Sequence, residues 1–424
     1  MTNFDKFIQP DLTMTIDATS NSFEMSYYWP NGEKEGIKLF TPQNQFKTDL
    51  IPLRSELSNW GKKYEELLDE SKKDRLSCDP SKVKDMWLYL ANEGKTLHTM
   101  LFDLVYKRST DLVELSESIK KLKTGSIIEF DALDAPLPWS LLYDGEIPTP
   151  DDPKFFDNLF PHFWGLRYQL VSHPTYGTNN INNNPYLSNA DATRLTIAVN
   201  QQSDTTYQTG QLSFFTNLKQ EFNKLSSQGK NYLLMLGTSK NEVISSLTTR
   251  QEPQHLYYLF CHHEKGEGEV NLFGIADYLQ ETKIIMEGET EGIITLDELE
   301  KLVVDKKILP FQEPPVIFLN ACHSNQLQMG DPTSFMTYFI TGLHSWNFIG
   351  TEADIPAPFA DAFGKCFVEE FLNGKSVGQV LFELRNSYAR DHRNPFGLYY
   401  TLFGRSEIHL QNPCNGMSLC HATT

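Results

Sequence analysis

The chain has 424 residues, 40% of them hydrophobic and 12% aromatic, enough to bury a sizeable core in two domains or in a single large bipartite domain. Its 37 Lys and Arg against 55 Asp and Glu leave a net charge of −18, which excludes nucleic acid as the main partner, disfavours anionic membranes and favours basic substrate segments. No run is long and apolar enough to span a bilayer, the N-terminus lacks a signal-peptide pattern, and six scattered cysteines read as reduced thiols in a cytoplasm.

Residues 13–40 alternate apolar and polar, as in Phe23-Glu24-Met25-Ser26-Tyr27, and Pro30-Asn31-Gly32 supplies a turn, so a β-hairpin is expected. Residues 45–73 and 80–122 have helical period, with Trp87, Leu88, Leu90, Ala91, Leu97, Met100, Leu101, Leu104 and Val105 as a buried stripe. Strands follow at Ile127-Ile128-Glu129-Phe130 and at Phe163–Leu170. The polar stretch 174–192, with its run of asparagines, marks the boundary between an N-terminal α+β half (1–185) and a second domain (190–410), with a tail over 411–424 that is polar and mobile.

Beyond that boundary, Leu195–Asn200 and Tyr232–Gly237 read as buried strands, and Phe214, Phe215, Leu218, Phe222 and Leu225 sit at helical spacing. Two further apolar runs end in reactive groups: Leu256–Phe260 runs into Cys261-His262-His263, and Pro315–Leu319 into Asn320-Ala321-Cys322-His323. Both read as buried parallel strands in an α/β sheet, where chemistry gathers beyond the carboxyl ends of strands. Were these two strands neighbours, a thiol and an imidazole would emerge side by side, the minimum equipment for nucleophilic catalysis.

Between them lies an acidic, glycine-bearing excursion from Glu264 to Ile294, read as a loop that either gates the site or is simply solvated. Thr295-Leu296-Asp297-Glu298 then forms a capping box. A strand at Trp346–Gly350, a loop at Thr351–Pro356, two helices lined by Phe363, Phe367, Phe371 and by Val377, Val380, Leu384, and a closing strand at Leu398–Leu402 complete the chain.

An apolar strand ending in Cys-His, then one ending in Asn-Ala-Cys-x-Ser, resembles the CHAT domain, a caspase-like, separase-related cysteine peptidase family common in bacteria. Phe348-Ile349-Gly350-Thr351 resembles the family's next strand, and Asn373–Val377, Asn394–Tyr400 and Phe403-Gly404 its last helix and closing strand. Leu137-Pro138-Trp139-Ser140-Leu141-Leu142 resembles its Leu-Pro-Trp-Glu-Leu-Leu segment, with Ser140 where Glu is usual. The resemblance implies a caspase-like, mostly parallel sheet flanked by helices, with the N-terminal half as a non-catalytic buttress.

It implies Cys322 as nucleophile and His262 as general base, a one-residue slip making His263 the base instead. It places the oxyanion hole at the backbone amides of Cys322 and of His263, which stands where the family has glycine. Glu352 and Asp354, after the third strand, are candidates for a pocket that takes a basic residue before the scissile bond. No cofactor is implied, and adjacent His and Cys diverge too much to share a metal. The implied partners are a protein substrate encoded nearby, such as a gasdermin-like pore former in bacterial defence, and a separate sensor chain. The alternative is an inactive caspase-like scaffold, which the substitution of glycine by His263 favours and the presence of both dyad residues opposes.

Overall fold

The computed structural model describes residues 9–18, 23–30, 34–39, 43–72, 74–102, 110–131, 137–173, 186–187, 192–227, 232–248, 253–264, 283–286, 292–321, 335–411 and 413–414. The strands among them are β1 (Leu12–Ala18), β2 (Phe23–Tyr28), β3 (Lys34–Leu39), β4 (Ile127–Asp131), β5 (Gln169–His173), β6 (Tyr186–Leu187), β7 (Thr193–Val199), β8 (Tyr232–Gly237), β9 (Leu256–Phe260), β10 (His262–Glu264), β11 (Lys283–Ile285), β12 (Ile293–Thr295), β13 (Val316–Asn320), β14 (Asn347–Thr351), β15 (Tyr400–Phe403) and β16 (His409–Leu410).

Eleven of these form one sheet in the order β3-β2-β1-β4-β5-β15-β14-β13-β9-β7-β8. Pairing is antiparallel within β1–β2–β3 and between β14 and β15, and parallel elsewhere, so the expected α/β, mostly parallel architecture holds. The sheet crosses residue 185 without a break, because β15, late in the chain, lies between β5 of the N-terminal half and β14.

Strand alternation sends successive side chains to opposite faces. On β9, Leu256, Tyr258 and Phe260 enter one core with Phe363, Phe367 and Phe371 of the helix Ala357–Leu372. Tyr257, Leu259 and Cys261 enter the other, with Val243, Leu247 and Leu299 from helices Lys240–Thr248 and Leu296–Val304. β13 follows suit, with Val316 and Phe318 on the first face and Ile317, Leu319 and Ala321 on the second. Each fully buried Leu or Phe side chain contributes about 1.5–3 kcal/mol, so both strands are fixed from two sides up to their carboxyl ends.

Three elements depart from the sequence reading. Within Phe163–Leu170, Trp164–Arg167 is a helical turn and the strand starts only at Gln169. Gly165 explains why: a Cβ there would stand 2.7 Å from the Ser140 carbonyl oxygen, so the turn seats its backbone on the Trp139–Leu141 turn. The 264–294 excursion is not all loop, since β10, β11 and β12 form a small antiparallel sheet that buries Ile284, Met286 and Ile294. Its flanking glutamates hide that pattern from a composition reading. The thiols are not all reduced either: Cys78, Cys261 and Cys414 are free and buried, but Cys366 is disulfide-bonded. Described structure reaches past residue 411 to Cys414, whose N–H donates to the Leu372 carbonyl at 2.7 Å.

Candidate functional site

β9 and β13 are adjacent and parallel, with Val316 opposite Leu256 and Asn320 opposite Phe260. The two strands therefore end level with each other. His262 stands two residues beyond Phe260, and Cys322 two residues beyond Asn320. Cys322 lies outside the described residues, as does His323, and of His262 and His263 only the backbone is described: both belong to β10, paired with Ile285 and Ile284. His263 thus sits in extended strand, a conformation that needs no glycine.

Asn320 closes β13 with a hydrogen-bond hub. Its Nδ2 donates to the Tyr258 hydroxyl at 2.9 Å and to the Ala360 carbonyl at 2.7 Å, and its Oδ1 accepts from the Tyr400 hydroxyl at 2.8 Å. Asn320 is 1% exposed, so these partners replace water completely. Tyr258 Oη also accepts from Gln211 Nε2 at 3.2 Å, and burial holds its phenol far above the usual range. Gly364 lets the helix Ala357–Leu372 close over this hub: a Cβ there would stand 2.1 Å from Tyr258 Oη and 2.7 Å from Asn320 Nδ2. Directly after Gly364, Lys365 pairs with Asp361 one turn back at 2.6 Å and donates to the Thr209 carbonyl at 2.7 Å. Burial, with Asp204 nearby, pushes the Asp361 carboxyl up to about 6 despite Lys365.

Past the hub, Thr351 Oγ1 donates to the Ala321 carbonyl at 2.6 Å. On the other flank, the Asn200 N–H donates to the Phe260 carbonyl at 2.8 Å and its Nδ2 to the Ile285 carbonyl at 2.7 Å. Those contacts tie the ends of β7, β9 and β11 together.

Glu352 is not a pocket residue. It is 2% exposed; Oε2 pairs with Arg54 Nη2 at 2.9 Å and Oε1 accepts from Thr401 Oγ1 at 2.9 Å. A carboxylate buried with an arginine and a hydroxyl is committed to the fold, and reaching a substrate would strand the Arg54 charge. Asp354 lies two residues on and is half-buried, and its N–H donates to Ser58 Oγ at 3.4 Å. Arg54 and Ser58 both sit on the helix Gln43–Lys62, and a Cβ on Gly61 would meet the Asp354 carbonyl oxygen at 2.7 Å. The N-terminal half thus forms the wall behind the loop after β14.

Sequence reading found the strand ends and gave Asn320 to fixing the turn there, but missed its partners and the Arg54–Glu352 pair. A buried asparagine closing an apolar run is a readable signal, and Asn320 had it. Nothing in the sequence connects Arg54 to Glu352, 298 positions away. Two widely separated segments of the CHAT-like pattern do meet: buried Ser140 donates its hydroxyl to the Leu398 carbonyl.

A cleft of about 870 Å³ opens elsewhere, lined by Lys95, Lys120, Asp144, His162, Arg167 and Arg390 among others. Burial pushes the Asp144 carboxyl up, and the hydrogen bond from His162 with the Arg167 guanidinium more than reverses it. None of the described strand-end residues lines this cleft.

Among the described residues no helix is long and apolar enough to cross a membrane. No family model matches the chain. It is similar to the crystal structure of the Saccharomyces cerevisiae separase–securin complex, with a TM-score of 0.43 and 12% identity over 93% of this chain and 30% of that one. It is also 27% identical over 281 residues to a protein of Vitiosangium sp. described as a probable protease. That match takes in 65% of this chain, which spans about a third (33%) of the relative's length.

Proposed function

We propose that this chain is a cysteine endopeptidase working through a Cys322–His262 dyad. The observation that carries the reading is the level ending of β9 and β13, with Asn320 opposite Phe260 and each dyad residue two positions further along its own chain. The similarity to a probable protease over 281 residues supports the same class.

In this reading His262 accepts the Cys322 proton, and the thiolate attacks the carbonyl carbon of the scissile peptide. The carbonyl oxygen takes up negative charge between the backbone amides of residues 322 and 263. Collapse expels the amine, which leaves with the proton held by His262, and a thioester remains. Water, deprotonated by His262, then releases the acid and restores the thiol. Asp354, with Glu352 committed elsewhere, is the acid offered to a basic residue before the scissile bond.

We further propose a CHAT-type enzyme of the bacterial cytoplasm that cuts a specific partner protein, such as a gasdermin-like pore former encoded nearby, under control of a separate sensor chain. Those details rest on the sequence resemblance alone. The test is to map new protein N-termini in cells that express the wild type or Cys322→Ala together with candidate neighbours. Termini that require Cys322 name the substrate and the cleavage residue. Their absence, with no labelling of Cys322 by a peptide-acyl electrophile, would leave the scaffold reading.

A further inference from the structure

The β13–β14 ladder pairs Val316, Ile317 and Phe318 with Asn347, Phe348 and Ile349. Beyond that pairing a side chain, Thr351 Oγ1, takes the Ala321 carbonyl at 2.6 Å. Thr351 is fully buried and Ala321 is 5% exposed, so water does not compete for this bond.

The carbonyl of residue 321 and the N–H of residue 322 belong to one peptide unit. Such a unit is planar and trans, with its C=O and N–H pointing in opposite directions. Whatever fixes the carbonyl fixes the line along which the following N–H points.

Thr351 is itself well held. The next residue's N–H donates to the Tyr399 carbonyl at 2.9 Å, and that residue's carboxylate is clamped by Arg54 and Thr401. On the other side of the peptide unit, Asn320 is locked by Tyr258, Tyr400 and Ala360.

We propose that Thr351 is a positioning residue for the oxyanion-binding amide: its hydroxyl, by gripping the Ala321 carbonyl, aims the N–H of residue 322 at the developing negative charge. This rests on the peptidase reading above, and the experiment separates the two.

Two probes are applied to the full chain and the modification of Cys322 is followed by peptide mass. Iodoacetamide alkylates a thiolate by displacement and forms no oxyanion. A set of N-acetyl dipeptidyl acyloxymethyl ketones with varied last residue reacts through attack on a ketone, whose oxygen becomes charged. The described free cysteines Cys78, Cys261 and Cys414 are all buried, and burial pushes the Cys78 thiol up to about 12, which keeps the background low.

The expected result is that Thr351→Val slows the ketone reaction about 10-fold or more while iodoacetamide stays within about 2-fold, since losing a whole oxyanion donor costs about 10²–10³ and a misaimed one less. Thr351→Ser, which keeps the hydroxyl, should restore the ketone rate. Thr351→Ala serves in the same role should the valine variant fail to fold. Equal loss with both probes, or no loss with either, would overturn the positioning role while leaving the peptidase reading standing. A wild type that takes iodoacetamide at Cys322 but none of the ketones would overturn both.

Discussion

Asn320 on β13 lies directly opposite Phe260 on β9, so these two neighbouring strands of the sheet finish at the same level. Counting on from that pair gives Cys322 and His262 the same offset, two residues each, whereas His263 falls one further. His262→Ala is therefore expected to abolish Cys322-dependent cleavage, a loss of about 10²–10⁴-fold from removing the general base. His263→Ala keeps its backbone amide and should stay within about 10-fold of wild type. N-terminal mapping of the cleaved partner reads both variants, and the reverse pattern would move the base to His263.

The Asn320 hub makes a stability prediction. Asn320→Ala leaves the Tyr258 and Tyr400 hydroxyls and the Ala360 carbonyl without their shared partner in a dry environment. Three hydrogen bonds are lost at once, each worth about 0.5–1.5 kcal/mol, and Tyr258 keeps its bond from Gln211, so a loss of roughly 2–4 kcal/mol is expected in urea unfolding. Gly364→Ala attacks the same hub from above and should cost about 1–3 kcal/mol through overpacking against Tyr258. A glycine variant with unchanged midpoint would show that the helix can shift without penalty.

Breaking the Arg54–Glu352 pair has a different signature. Arg54→Ala strands a buried carboxylate and should destabilise by about 3–5 kcal/mol, while the double variant Arg54→Met with Glu352→Leu recovers most of that loss. Because Glu352 faces Arg54 and Thr401, Glu352→Gln should leave any preference for a basic residue before the cut unchanged, and Asp354→Asn should weaken it. Cleavage-site profiles of the two variants decide this, and a lost basic preference in Glu352→Gln would return that residue to the pocket.

Asp361 predicts a pH effect of definite sign. Burial, its largest influence, with Asp204 repulsion behind it, raises its folded-state value to about 6, above an unfolded value of about 3.9. Across roughly pH 4 to 6 the unfolded chain has already lost this proton while the folded chain keeps it. Stability therefore falls as pH rises through that window, by roughly 2–3 kcal/mol, and Asp361's contribution is flat above it. Asp361→Asn should remove that slope from a series of urea midpoints between pH 4 and 8. An unchanged slope would mean the Lys365 pairing outweighs burial.

The strands of the second half were legible because each is a continuous apolar run, as in Tyr257-Tyr258-Leu259 and Ile317-Phe318-Leu319. What periodicity cannot show is who pairs with whom. That Gln169–His173 would lie beside Tyr400–Phe403 depends on contacts more than 200 residues apart, and no local pattern encodes them. Glu352 failed for the same reason. An acid after a strand looks like a pocket residue until its partner, set on the first long helix, is found 298 positions upstream. The excursion after His263 failed differently: its isoleucines carry the strand pattern, but glutamates and glycines around them dominate the composition.

The place of β15 bears on how the protein comes into being. A ribosome delivers β5 and β14 long before it delivers Tyr400–Phe403, the strand that must slide between them. Until then neither half has its inner border, and Tyr400, the hydroxyl that steadies Asn320, has not been made. A nascent chain that stops short of Tyr400 thus carries β9 and β13 yet lacks the hydroxyl that holds Asn320 at the end of β13. The order of synthesis withholds the seam between the two halves of the sheet until Tyr400–Phe403 emerges.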